Sequence, residues 1–211
     1  MNKSEKFWDK VSSKFDKRSQ KFDKTEIRTL VNTKQYLNVS DIVLDYGCAT
    51  GTMAIKISDK VKKIYGIDIS CKMIDAAKRK VAERKIENID FAQSTIFDER
   101  YKRESFDVIL ALNILHFIED PKKVMTRINE LLKPGGLIIS VTPCLGEKKS
   151  LLNILLFLLV FLQTKMGIVP YIRFFKISEL EDSLTNGNLQ ILETESLHST
   201  AEQYFIVAKK I

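Results

Sequence analysis

Apolar positions along this chain change period near residue 41. Over residues 4–37 they fall at helical spacing, with Phe7, Val11 and Phe15 on one face and a break near Ser19-Gln20. From residue 41 short apolar runs alternate with amphipathic stretches. "DIVLDYG" (41–47) predicts a buried strand ending in glycine, followed by a helix over 51–60. "KKIYGIDIS" (62–70) predicts a second strand, and Ser70 is placed to cap a helix running to about Lys85. "NIDFAQ" (88–93) and "SFDVILALN" (105–113) predict the third and fourth. The fourth is nearly all apolar, as a strand covered on both faces should be. A helix over 120–133 carries Pro121 in its first turn. "KPGG" (133–136) reads as a turn and "LIISVTP" (137–143) as the fifth strand.

Strands alternating with helices at this spacing predict a parallel sheet with right-handed crossovers. The pattern changes after 143: a long apolar helix-like segment (about 147–166), a helix near 178–186, then strands over 189–197 and 202–210. Their short connection, "HSTA", predicts an antiparallel hairpin at the sheet edge. The expected fold is therefore α/β: seven strands, mostly parallel, with a C-terminal edge hairpin and helices on both faces. Residues 1–40 form a helical extension, and residues 41–211 one domain with an apolar insert at about 146–186.

Composition narrows the class. A hydrophobic fraction of 45% and a charged fraction of 29% argue against disorder. The opening "MNKSEKFWDK" has no apolar core of the kind a secretory leader carries. Cys48, Cys71 and Cys144 are odd in number and widely spaced, which fits a reduced, cytoplasmic setting and neither a disulfide framework nor a zinc pattern. The net charge is +7, and residues 1–24 hold eight Lys/Arg against four Asp/Glu. Such an arm can face RNA, an acidic lipid surface or an anionic substrate, or be a solvated helical face.

The candidate chemistry starts at "VLDYGCATGTMA" (43–54). A phosphate-binding loop would need a lysine after the sixth position counted from Gly47; Thr52 stands at that position and no lysine follows. A dinucleotide fingerprint would need glycines at 49 and 52, where Ala49 and Thr52 stand. The pattern present is D-x-G-x-A-x-G. "LDYGCATG" resembles motif I of the class I S-adenosylmethionine-dependent methyltransferases, here of the small-molecule type. "YGIDIS" is similar to the family's second motif, with Asp68 at the distance from Gly47 where an acid can bond ribose hydroxyls. "LLKPGGLIISV" and "SFDVILALNILHFIEDP" resemble its turn before strand five and its fourth strand with the loop after it.

The resemblance implies a Rossmann-like fold, S-adenosylmethionine as methyl donor and S-adenosylhomocysteine as product. It places Asp45, Gly47, Cys48, Ala49, Gly51, Asp68, Ile69, Thr95, Ile96 and Leu112 around the donor. Glycines allow close backbone approach, helix amides near 51–53 favour the carboxylate, and Asp45 can help hold the ammonium. Two positions depart from the family pattern: Ala49 stands for the middle glycine, and Thr95 for an Asp that accepts from the adenine amine. A hydroxyl accepts one hydrogen bond but is the weaker partner, so donor binding is expected to be retained and weaker. The backbone amide of Ile96 can still donate to adenine N1, and Ile96 and Ile69 are expected to sandwich the adenine.

The acceptor is less legible. "NILH" (113–116) is not the N/D-P-P-Y/F of enzymes that methylate exocyclic base nitrogens, so a nucleic-acid acceptor is disfavoured. His116 is a candidate general base, or a packing histidine; His198 reads as a surface residue. Cys144 ends strand five but lacks the partner motif of cytosine-5 enzymes, and reads as inert. No clustered carboxylates suggest a metal. Leu151 to Leu162 is apolar apart from Asn153 and too short to span a bilayer. It can be an apolar lid over the acceptor, a core or dimer contact, or a shallow membrane contact. The N-terminal helix resembles the one that closes over the donor in small-molecule methyltransferases, with Trp8 and Phe15 at the entrance. The expectation is methyl transfer to a small apolar acceptor by a monomer or homodimer. RNA or protein methylation through the basic arm, and donor binding without turnover, are the alternatives.

Overall fold

The computed structural model describes residues 3–19, 24–147, 151–197 and 203–211. Its centre is a seven-stranded sheet built from β1 (Ile42–Tyr46), β2 (Lys63–Asp68), β3 (Ile89–Gln93), β4 (Phe106–Leu112), β5 (Leu132–Pro143), β6 (Leu189–Leu197) and β7 (Gln203–Lys210). The order is β3-β2-β1-β4-β5-β7-β6, with β7 antiparallel to both neighbours and the other pairings parallel. This is the Rossmann-like sheet with an antiparallel edge hairpin that the alternation predicts. The "HSTA" connection and His198 lie outside the described residues.

Helices cover both faces: α1 (Lys3–Ser19), α2 (Lys24–Gln35), α3 (Thr52–Ile57), α4 (Cys71–Arg84), α5 (Pro121–Leu131), α6 (Leu151–Lys165) and α7 (Ile177–Thr185). Successive residues of a strand point to opposite faces, so Leu44 enters the core under α5 and α7 while its neighbour Val43 enters the one under α3 and α4. β4 supplies Ile109 and Ala111 to the first core and Val108 and Leu110 to the second, which explains its unbroken apolar run.

Caps fix where the crossover helices begin. The Ser70 hydroxyl accepts from the Met73 N–H at 3.2 Å, and the Asp120 carboxylate from the Lys123 N–H at 3.0 Å, with Pro121 opening the helix. These caps set both helix starts beside the carboxyl ends of β2 and β4, where ligands bind in such sheets.

"KPGG" departs from its predicted place. It lies within β5: Leu132 pairs opposite Phe106 and Leu137 opposite Val108, so residues 133–136 bulge from the ladder. Gly135 takes φ +76 at the bend. Lys133 reaches Asp107 at 2.7 Å, and that carboxylate also accepts from the Ile42 N–H at 2.8 Å. The predicted helix over 51–60 is α3 followed by a 3-10 turn at Ser58–Lys60.

Candidate functional site

The carboxyl ends of β1, β2 and β4 open into a cleft of about 970 Å³. β1 delivers Asp45, and the chain then turns through Gly47 at φ +76, Ala49 at +47 and Gly51 at +74. Three left-handed residues within five make the corner tight. A Cβ at Gly51 would come within 2.5 Å of Phe91 Cζ and 3.0 Å of Ala77 Cβ, so only glycine lets this corner seat against β3 and α4. Ala49 holds its left-handed conformation with its N–H on the Asp68 carboxylate at 3.0 Å. The other oxygen of Asp68 accepts from the Ser70 N–H at 2.9 Å, which anchors the carboxylate from both sides.

Asp45 and Asp68 differ in how they are satisfied. Both carboxyls are pushed above the ordinary range, chiefly by burial. Backbone N–H groups partly offset this at Asp68. Asp45 has no such help: burial first, and the neighbouring Asp68 second, raise it to about 7. One of its oxygens is buried with no hydrogen-bond partner among the described residues. A buried acid with an orphan oxygen on a cleft wall is a place for a cationic or hydrogen-donating ligand group.

The far end of the cleft is apolar, lined by Trp8, Phe15, Phe117, Ile118, Pro170 and Ile172. Trp8 stands edge-on to Phe117 with ring centroids 5.0 Å apart. α1 is held there by Asp9, which accepts from the Ser70 hydroxyl at 2.5 Å and from the Lys72 N–H at 3.3 Å, at the start of α4. Burial opposes charge on Asp9, but the Ser70 hydroxyl and Lys72 N–H hold its carboxyl below the usual range. His116 also lines the cleft, its ring tilted 42° to that of Phe117 with the centroids 3.9 Å apart. Burial lowers it to about 4, and its Nδ1 has no hydrogen-bond partner among the described residues.

Of the ten residues expected around the donor, Asp45, Gly47, Cys48, Ala49, Asp68, Ile69, Thr95 and Leu112 line this cleft. Gly51 stands behind the corner, where it permits the close approach to Phe91. Ile96 requires a correction: its side chain is fully buried in the core and does not reach the cleft. The next residue, Phe97, is exposed on the cleft wall with Lys123 Nζ 4.9 Å from the centre of its ring. Thr25 and Thr29 of α2 and Gln203 of β7 also reach the cleft, and no local motif marks them. Cys144 is buried, its thiol donating to the Thr142 carbonyl.

The apolar insert contributes to the cleft through only part of its length. No described side chain of α6 lines the cleft, and Leu155, Phe157, Leu158, Leu159, Phe161 and Leu162 face outward. The segment after it, through Pro170 and Ile172, forms the wall instead. No helix of the described residues is long and apolar enough to cross a membrane, and no group of His, Cys, Asp or Glu among them could hold a metal ion.

Residues 37–173 match the family described as a methyltransferase domain. The chain belongs to the methyltransferase-domain family. The methyl donor of this chain is S-adenosylmethionine. The methyltransferase domain is similar to the ubiquinone biosynthesis O-methyltransferase of Coxiella burnetii (strain RSA 331 / Henzerling II), 28% identical over 156 residues. That alignment spans 74% of this chain and 66% of the relative, just under two thirds of its length. The protein of the same name from Rickettsia bellii (strain OSU 85-389) is 28% identical over 180 residues, 82% of this chain and 72% of that one. Among solved structures, the YcgJ protein of Bacillus subtilis superposes with a TM-score of 0.70 at 17% identity, covering 87% of this chain and 98% of that one.

Proposed function

We propose that this chain transfers a methyl group from S-adenosylmethionine to a hydroxyl of a small lipophilic acceptor. The observation that carries the reading is one cleft whose wall joins a carboxylate-bearing backbone corner to a cluster of aromatic side chains, with neutral His116 against Phe117 in that cluster. Its volume lies at the top of the roughly 300–1,000 Å³ usual for ligand sites, which suits a donor and an acceptor side by side. The relatives' name, ubiquinone biosynthesis O-methyltransferase, supports a hydroxyl on a lipophilic molecule as the acceptor class.

When bound, the donor supplies a methyl group on a sulfonium. The buried orphan oxygen of Asp45 fits the donor's ammonium, since an ionised carboxylate there gains the partner it lacks. Asp68, anchored by two backbone N–H groups, keeps lone pairs for the ribose hydroxyls. Thr95 accepts from the adenine amine, and Phe97 with Ile69 flanks the ring. His116 holds the acceptor hydroxyl and takes its proton as the oxygen bonds to the methyl carbon and the carbon–sulfur bond breaks. Residues 1–40 act as an extension over the donor, and residues 146–186 as an insert beside the acceptor. The odd number and wide spacing of the three cysteines suit work in the reduced cytoplasm.

The test is transfer from methyl-labelled S-adenosylmethionine into a cell extract fractionated into lipid, small-molecule, RNA and protein pools. Label in the organic-soluble pool is expected. Label in RNA or protein would move the acceptor to the basic arm. Donor binding with no labelled pool would make this a binding protein.

A further inference from the structure

We infer that α6 and the lysine face of α1 together dock this chain on an anionic bilayer surface, from which a lipophilic acceptor reaches the cleft. The inference deepens the proposed function and rests on it for the acceptor alone.

α6 has 15 residues, about 22 Å of helix at 1.5 Å per residue, short of the ~30 Å of a bilayer core. Leu155, Phe157, Leu158, Leu159, Phe161 and Leu162 are 44–64% exposed. They occupy two faces: the four leucines form one stripe, and Phe157 and Phe161, stacked at 6.3 Å, lie on another. Met166 and Ile168 continue the exposed apolar surface past the helix end. A protein partner covers one stripe of a helix, whereas hydrocarbon covers a wide arc. At the helix C-terminus Lys165 lays its ammonium 5.6 Å over the Phe161 ring, in the manner of a lysine reaching from an apolar layer to a charged one.

Charge selects the occupant. Lys3, Lys6, Lys10 and Lys14 of α1 are exposed, and their spacing of three, four and four places them on one helix face. The side chain of Lys3 lies beside Gly167, directly after α6, so the lysine face and the apolar helix adjoin. Apolar surface next to a lysine stripe matches acyl chains next to anionic headgroups. A second copy of this chain, docked by two-fold symmetry, would bring the same lysines together and repel. The cleft is walled in part by Trp8 and Phe15 of α1 and by Pro170 and Ile172 just after α6, so both docking elements adjoin its apolar lining.

The experiment is co-sedimentation of the full chain with vesicles of phosphatidylcholine alone and of phosphatidylcholine with phosphatidylglycerol, at low and high salt. Binding to the phosphatidylglycerol vesicles, weakened by salt, is expected. The pair Leu158→Glu and Leu162→Glu should lower that partition roughly tenfold or more, with donor affinity by calorimetry unchanged as the check on folding. Replacing the four lysines with Gln should remove the preference for anionic lipid. Absence of vesicle binding overturns the inference, as does a dimer in sedimentation velocity that the leucine pair dissociates. Vesicle binding without label in the organic-soluble pool keeps the inference and removes the lipophilic acceptor; the reverse result does the opposite.

Discussion

The donor end and the acceptor end of the cleft are built by different means. Around Asp45 and Asp68 the work is done by backbone: three left-handed residues, two N–H groups on one carboxylate, and glycines that admit neighbours. Around His116 it is done by side chains from distant segments: Trp8 and Phe15 before the sheet begins, Phe117 after β4, Pro170 and Ile172 after α6. A backbone corner tolerates little change and serves one ligand. A chamber of side chains can be re-lined without disturbing the sheet. Damage at the first end should therefore appear in stability and donor affinity, and damage at the second in turnover.

The largest expected effect tests the first half. Gly51→Ala forces a Cβ against Phe91 and an L-residue into φ +74, a combined cost of about 2–4 kcal/mol. Chemical denaturation should show it, with weaker donor binding in the folded fraction. An unchanged midpoint would mean that the corner is not tight. His116→Ala tests the second half: kcat should fall by about 100-fold, the lower range for loss of a general base, while the dissociation constant of the donor holds. A matching loss of donor affinity would erase the distinction between the ends.

The same contrast explains what could be read from sequence. Special backbone needs special residues at fixed spacing, so Gly47, Gly51 and Asp68 announce the corner and the sheet order follows from the strand–helix alternation. Phe97 was hidden by one position. The turn at Ser94–Asp98, in which the Thr95 hydroxyl accepts from the Phe97 N–H at 3.3 Å and the Ser94 hydroxyl donates to Asp98 at 2.8 Å, sends Ile96 inward and Phe97 to the cleft. Strand alternation does not survive such a turn. α6 was hidden for another reason: a run of leucines has the same composition whether it faces a core, a ligand or the outside. The bulge at 133–136 depends on Lys133 finding Asp107 across the sheet, which no local pattern encodes.

Asp68→Ala sharpens the comparison within the donor end. It removes a charged acceptor, worth about 1.5–3 kcal/mol, so donor affinity by calorimetry should drop roughly tenfold to a hundredfold. It also frees the N–H groups of Ala49 and Ser70, so the melting temperature should fall as well. Unchanged affinity would remove Asp68 from the ribose.

The two orphan groups give opposite pH signatures. Asp45 is raised from 3.8 to about 7, so its contribution to stability is complete below 3.8 and is lost as pH rises through 7. His116 is lowered from 6.5 to about 4, so its contribution is present above 6.5 and is lost as pH falls toward 4. Donor binding should follow Asp45 and not His116. An ammonium needs the ionised carboxylate, so affinity should rise about tenfold between pH 6 and 7.5, with proton release below 7. The rise should level off where the donor's own α-amino group titrates, near ~7.7–8.0. Asp45→Asn should flatten the curve; a curve of the same shape would mean that the ammonium lies elsewhere.

The smallest effect concerns the one residue of the corner that is not adapted to its backbone. Ala49 sits at φ +47, where an L-residue pays about 1–2 kcal/mol relative to glycine, offset by the greater freedom glycine has when unfolded. Ala49→Gly should therefore raise stability by at most about 1 kcal/mol. Its N–H stays on Asp68, so donor affinity should not change. If the substitution instead weakens donor binding, the alanine methyl touches the ligand, and the donor end is shaped by a side chain after all.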